Sequence, residues 1–176
     1  MRRGGGRVLV TGAAGMLGSQ LLLNAPAGVT AVGTDLAPAA GLAAPGVDLA
    51  DRAAVAELFA RHGPFSGVIH GAAWTAVDAA ESAEPAALRA NAEAPRVLAE
   101  ACRELGARLV AVSTDFVFDG AATRPYGVED EPRPLSAYGR TKLAGERAVL
   151  ETYGEGSAIV RTQWLYGPRG NHFPRT

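Results

Sequence analysis

Three glycines spaced as Gly12-x-x-Gly15-x-x-Gly18 constrain this chain more than any other feature, because of what flanks them. Before them, Arg7-Val8-Leu9-Val10-Thr11 reads as a short buried strand, and after them a helix is expected from Met16 to about Asn24. Glycines at this spacing allow a tight turn, close approach of backbone to a pyrophosphate, and close packing of the helix on the sheet. Phosphates would sit at the helix N-terminus, where free N–H groups and the dipole favour anions. Gly12, Gly15, Met16 and Leu17 are therefore the expected pyrophosphate contacts. A second strand, Thr30-Ala31-Val32-Gly33-Thr34, ends at Asp35, about 20 residues on, where a carboxylate accepts hydrogen bonds from adenosine ribose hydroxyls. The alternative for Asp35 is a plain loop aspartate. With no arginine directly after it to receive a 2′-phosphate, the position leans toward NAD.

The rest of the chain repeats the strand and helix alternation. Residues 38–45 read as an Ala/Gly/Pro surface loop, and Val47-Asp48-Leu49 as a short third strand or its end. Asp48 and Leu49 either meet the adenine edge or are ordinary loop residues. Asp51 is a candidate N-cap for a helix from Arg52 to His62, and His62 complements that helix's dipole. Strand four, Gly67-Val68-Ile69-His70, leaves the sheet through Gly71-Ala72-Ala73, whose small side chains let a cofactor approach. Ala72 and Ala73 are thus added to the binding residues. His70 has no second histidine or cysteine at ligand spacing, so it reads as a hydrogen-bonded buried imidazole and no metal is expected.

Trp74 to Glu81 is expected to be a loop, followed by a long helix with Pro85 in its first turn, a kink at Pro95, and an end near Leu105. Asn91 in that helix is either a structural hydrogen-bonding residue or the holder of a water. Strand five, Arg108 to Val112, ends in Ser113-Thr114-Asp115, and strand six is Ser157 to Arg161. The excursion between Phe116 and Leu135 is long enough to be functional. About six strands alternating with helices predict an α/β fold with a doubly wound parallel sheet, a Rossmann fold, as one domain over residues 1–176.

Tyr138-Gly139-Arg140-Thr141-Lys142 follows a candidate cap at Ser136, and residues four apart on a helix share a face. An ammonium beside a phenol favours the phenolate and lowers its pKa from about 10, which makes Tyr138 a candidate proton donor to a carbonyl oxygen. Ligands in an open parallel sheet lie off the strand carboxyl ends, so Thr114 faces the same crevice and can hydrogen-bond that carbonyl. Otherwise it closes an ordinary turn.

Composition narrows the partners. Lys+Arg 17 against Asp+Glu 18, a net charge of -1, calls for neither nucleic acid nor an anionic membrane. At 48% hydrophobic and 20% charged residues the chain is globular, yet no apolar run approaches the roughly 20 residues of a membrane span. Cys102 reads as a small core residue, in keeping with a cytoplasmic protein. Residues 1–6 are expected to be a frayed terminus rather than a signal peptide.

Taken together these residues resemble the extended short-chain dehydrogenase/reductase superfamily, through Thr11-Gly12-x-x-Gly15-x-x-Gly18, Thr114 and Tyr138-x-x-x-Lys142. The nearest resemblance within it is to the dTDP-4-dehydrorhamnose reductase family. It is carried by Ala72-Ala73-Trp74-Thr75-Ala76-Val77-Asp78-x-x-Glu81, by Ser113-Thr114-Asp115-Phe116-Val117-Phe118-Asp119-Gly120, and by Pro134-Leu135-x-x-Tyr138-Gly139-x-Thr141-Lys142-x-x-Gly145-Glu146. Arg161-Thr162-x-Trp164-Leu165-Tyr166-Gly167 adds to it. The resemblance implies NADPH or NADH as hydride source and the C4 ketone of a nucleotide-linked 4-keto-6-deoxy sugar as substrate, with Tyr138 as proton donor. It also implies that Lys142 binds the nicotinamide ribose, that Thr114 orients the carbonyl, and that a homodimer is a compatible assembly.

The family continues well past the point where this sequence stops. The C-terminal part that shapes the sugar-nucleotide pocket is therefore expected to be largely missing, and turnover by the isolated chain weak or absent. The alternative expectation is a non-catalytic dinucleotide-binding subunit, of the kind that the regulatory subunit of methionine adenosyltransferase represents. An epimerase or dehydratase of the superfamily would usually carry further acid-base residues beside the threonine, where this chain has Asp115-Phe116.

Overall fold

Strands β1 (Arg7–Thr11), β4 (Gly67–His70) and β5 (Arg108–Thr114) occupy the middle of the sheet, where both faces are covered. Leu9, Val68 and Leu109 are almost wholly buried there, as a parallel sheet between helices requires. A computed structural model of the chain describes residues 6–168. The terminus expected to fray, apart from Gly6, lies outside the described residues.

All pairings are parallel, and with β2 (Thr30–Asp35), β3 (Ala44–Pro45) and β6 (Ser157–Thr162) the order is β3-β2-β1-β4-β5-β6. From β1 the chain winds outward one way through α1 (Met16–Leu23) to β2 and β3, then crosses to the other side as β4. That reversal opens a crevice above the carboxyl ends of β1 and β4, the usual ligand position in such sheets. Register places Thr11 opposite both Thr34 and His70, and Thr114 opposite Thr162, so several chemistry-bearing strand ends finish at one level.

Helix α2 (Arg52–His62) starts where expected, with Asp51 Oδ1 accepting from the Ala53 N–H at 2.8 Å and from Ala54 at 3.4 Å. Together with α5 (Ala94–Leu105) it covers one face: Val55, Leu58 and Phe59 pack with Val97, Leu98 and Cys102 over Leu9, Val68 and Leu109. Burial raises the Cys102 thiol to about 12, which leaves it inert. Helix α6 (Ala137–Tyr153) begins at Ser136, whose Oγ accepts from the Gly139 N–H at 3.1 Å.

Three elements differ from the sequence-based expectation. The third strand is Ala44–Pro45, not Val47-Asp48-Leu49. Gly46, at φ 76, turns the chain, and the N–H groups of Gly46 and Val47 both donate to the Asp35 carbonyl, which ends the pairing with β2. Part of the expected loop from Trp74 to Glu81 is helical, α3 (Val77–Ser82), held by burial of Ala80 beneath α6.

The long helix expected from Pro85 to Leu105 is instead α4 (Glu84–Leu88), one π turn over Arg89–Glu93, and α5. Pro95 has no N–H for the Asn91 carbonyl four residues back, and the wide turn accommodates that gap. The freed carbonyl faces Gly145 of α6, where a Cβ would stand only 1.9 Å from it.

Candidate active site

The crevice at the switch point has a volume of about 990 Å³. Its floor is the glycine turn, where Gly12 has φ 67 and a Cβ would meet the Ala72 nitrogen at 2.7 Å. Only glycine lets the turn press against the exit from β4 in this way. Helix α1 then starts at Gly15 with no side-chain cap and no acidic residue in its first turn, so its N–H groups and dipole are presented to an anion.

At one rim Asp35 is held by two backbone donors, Ala14 N–H to Oδ2 at 3.0 Å and Ala37 N–H to Oδ1 at 3.2 Å. Farther along the rim Asp48 accepts from the Ala50 N–H at 3.0 Å and from Arg89 at 2.6 Å, which together hold its carboxyl below the usual range. Carboxylates at these positions can accept from hydroxyls or an exocyclic amine, and Leu49 lies beside Asp48.

The other end of the crevice holds the proton chemistry. The 3-10 turn Asp115–Val117 is pressed onto α6, where a Gly139 Cβ would stand 2.3 Å from the Phe116 carbonyl oxygen. That close approach places the side chains of Thr114 and Tyr138 together in the lining of the crevice. Thr114 Oγ1 also donates to Asp115 Oδ1 at 3.1 Å and accepts from the Phe116 N–H at 3.2 Å. The Phe116 ring stands edge-on to Tyr138, with centroids 5.6 Å apart.

Lys142 is four residues on and buried, and its Nζ donates to the Val112 carbonyl at 2.8 Å. Burial pulls its pKa down to about 8, against an upward push from the Glu146 charge. The expected lowering of the tyrosine by the lysine is not what the structure gives. Burial raises Tyr138, the Thr114 contact opposes that, and the Asp115 charge raises it further. Tyr138 is therefore a protonated donor at neutral pH rather than a near-phenolate.

Asn91, left open by sequence, is structural. Its Oδ1 accepts from the Trp74 N–H at 2.9 Å, and its Nδ2 donates to the Trp74 carbonyl and to Thr141 Oγ1, both at 3.1 Å. This clamp fastens the chain after β4 to the helix that carries Tyr138. His70 Nδ1 pairs with Thr11 Oγ1 at 2.8 Å, and burial reinforced by the Lys142 charge lowers the imidazole to about 3.

All of the sequence-predicted positions, Gly12, Gly15, Met16, Leu17, Asp35, Asp48, Leu49, Ala72, Ala73, Thr114, Tyr138 and Lys142, line this one crevice. Sequence reading missed Ser113, Phe116 and Leu165 in its lining, and Trp164, which stands there at φ 51. The strings that carry the family resemblance contain all four, and only the path of the chain after β6 shows where Trp164 and Leu165 go. Among the described residues no group of three or more His, Cys, Asp or Glu side chains could hold a metal, and no helix is long and apolar enough to cross a membrane. A second hollow, of about 590 Å³ between α2 and α5, lies beside Phe59, Pro64 and Phe65, where β4 begins rather than ends.

A glycine turn at the switch point of this sheet, with a tyrosine and lysine on the helix before β6, defines the class: a Rossmann-type dinucleotide fold of the short-chain dehydrogenases and reductases. The chain belongs to the family of the RmlD substrate binding domain, whose profile matches residues 6–176. It is 48% identical over 167 residues to a dTDP-4-dehydrorhamnose reductase of Streptomyces griseus, covering 95% of this chain and 52% of that protein. To the enzyme of that name from Mycobacterium tuberculosis it is 46% identical over 172 residues, covering 95% and 53%.

Among solved structures, the dTDP-4-dehydrorhamnose reductase of Bacillus anthracis in complex with NADP superposes with a TM-score of 0.87 at 36% identity, covering 97% of this chain and 57% of that one. A Clostridium acetobutylicum dTDP-4-dehydrorhamnose reductase gives 0.84 at 40% identity, covering 96% and 57%. The chain thus spans little more than half the length of these relatives.

Proposed function

We propose that this chain is the cofactor-binding and proton-donating part of an NAD(P)H-dependent reductase acting on the C4 ketone of a nucleotide-linked 4-keto-6-deoxy sugar, as in conversion of dTDP-4-dehydrorhamnose to dTDP-rhamnose. The observation that carries this reading is the convergence of Thr114, Tyr138 and Lys142 in the same crevice as an uncapped helix N-terminus. Names of relatives that align over nearly the whole chain supply the substrate class.

The residues present fit a nicotinamide dinucleotide. The glycine turn and α1 would hold the pyrophosphate, Asp35 the adenosine ribose, Asp48 and Leu49 the adenine, and Ala72 and Ala73 would border the nicotinamide end. When bound, the cofactor supplies the hydride. Tyr138, kept protonated by burial, gives its proton to the carbonyl oxygen as negative charge develops there. Thr114, its hydroxyl proton turned from Asp115 to the substrate, hydrogen-bonds the same oxygen. Lys142 spends one of its three donors on Val112 and keeps two for ribose hydroxyls and for the charge left on Tyr138. This reading places the protein in the cytoplasm, and a homodimer is compatible with it.

The test is to mix the chain with NADH or NADPH and dTDP-4-dehydro-6-deoxy-L-mannose and to follow cofactor absorbance. Turnover that Tyr138→Phe abolishes, with cofactor affinity kept, is the expected result. Tight cofactor binding with no oxidation, both here and in a form extended by a relative's C-terminal half, would overturn it and leave a non-catalytic dinucleotide-binding subunit.

A further inference from the structure

Tyr138 is the second residue of α6, in the turn where helices fray because the first N–H groups have no partner within the helix. Ser136 satisfies one of these groups, its Oγ taking Gly139, while its carbonyl accepts the first bond of the helix, from Arg140 at 2.9 Å. The Ala137 N–H, one residue before Tyr138, is satisfied from another part of the chain. Glu81 Oε1, on the last turn of α3, accepts it at 2.7 Å. Glu84 of α4 holds the same turn through Arg140, accepting its Nε at 3.1 Å and Nη2 at 2.9 Å. Beneath it Ala80 and Ala87 are completely buried against Ala137 and Tyr138.

A carboxylate at this end of a helix is favoured by the dipole as well as by the hydrogen bond. Ser136 caps its own helix and would do so wherever the helix lay. Glu81 caps from 56 residues away, so its bond is made only when α6 sits in one position over α3. That position is also the one in which Gly139 lies against the Phe116 carbonyl and the Tyr138 ring meets Phe116, two residues after Thr114.

We propose that Glu81 is a positioning residue: by capping α6 from α3 it holds the first turn of that helix where Tyr138 packs against Phe116 and faces the crevice beside Thr114. Its consequence for catalysis rests on the reading of Tyr138 as proton donor, whereas the positioning is measurable without turnover. The chain has four tyrosines, so selective ¹³C labelling of the phenol carbon resolves them, with Tyr138→Phe assigning one signal.

Glu81→Ala is expected to loosen the turn, admit water to the ring, and move the Tyr138 titration down toward its ordinary value of 10.0. Glu81→Gln, which keeps an oxygen acceptor, is expected to restore most of the original value. Tyr153, at the far end of α6, reports on the fold and should keep its chemical shift. If the Ala variant does not fold, Glu81→Asp withdraws the oxygen by one methylene and should give the same Tyr138 shift with Tyr153 unmoved. A Tyr138 titration unchanged in every folded variant overturns the proposal. A wild-type chain without reductase activity would count against the reductase reading and leave this measurement intact.

Discussion

Arg161 holds both carboxylate oxygens of Glu146, with Nε 2.9 Å from Oε1 and Nη2 2.6 Å from Oε2. Ser113 Oγ donates to the same Oε1 at 2.5 Å, and Glu146 is only 5% exposed. The Arg161 guanidinium lies 4.9 Å above the Phe118 ring, which stacks on Tyr126 at 4.2 Å. One ion pair thus ties β6, α6 and the start of the long excursion together behind Lys142. Glu146 is buried but Arg161 is 26% exposed, so Glu146→Ala should be destabilising by less than the roughly 3–5 kcal/mol of a fully buried pair. The double change Glu146→Ala with Arg161→Met should recover part of that loss. Urea unfolding of the three proteins checks this, and strictly additive losses would contradict it.

On the proposed role of Lys142 at the nicotinamide ribose, its titration gives cofactor binding a pH dependence. Its folded pKa of about 8 lies below its ordinary 10.5, so the folded chain carries the ammonium below about pH 8 and loses it above, while the unfolded chain keeps it until about 10.5. Folding stability attributable to this group therefore rises between those values. Affinity for NADH is expected to move the other way, because the proposed cationic donor to the ribose is lost. Fluorescence titration on either side of pH 8 should show affinity falling as pH rises, and Lys142→Met should flatten that profile. A loss of about tenfold at neutral pH, about 1.4 kcal/mol, is expected for the variant.

His70 works at the acid end. Its folded pKa of about 3 against an ordinary 6.5 means that below pH 6.5 the unfolded chain takes up a proton that the folded chain refuses. Stability is fully present above pH 6.5 and is lost as pH falls toward 3, by up to about 1.4 kcal/mol per pH unit. Carboxylates titrate in the same window, so the comparison that isolates the histidine is the slope of His70→Asn against wild type in denaturant melts. An equal slope would show that His70 is not the group responsible.

Much of the fold was legible because its signals are local. The Gly12 turn needs positive φ, Ser136 and Asp51 cap the helices they precede, and Tyr138 and Lys142 share a face by spacing alone. The reading failed where local signals were missing. Helix α3 begins at Ala76 with no side-chain cap, so nothing in the sequence announces it, and burial of Ala80 under α6 makes it form. Pro95 announced a kink, but the π turn depends on the Asn91 carbonyl finding room against Gly145 on another helix.

Residues along the chain sufficed for the alternation of strands with helices in a parallel sheet, the glycine turn after β1, and the set of side chains at the strand ends, since each depends on neighbours a few positions away. Packing alone settled that Lys142 turns to the Val112 carbonyl, that Tyr138 is shifted upward by burial rather than downward by the lysine, and that Glu81 reaches the first turn of α6. Those outcomes depend on distances and burial between segments far apart in sequence, which periodicity and capping signals do not encode.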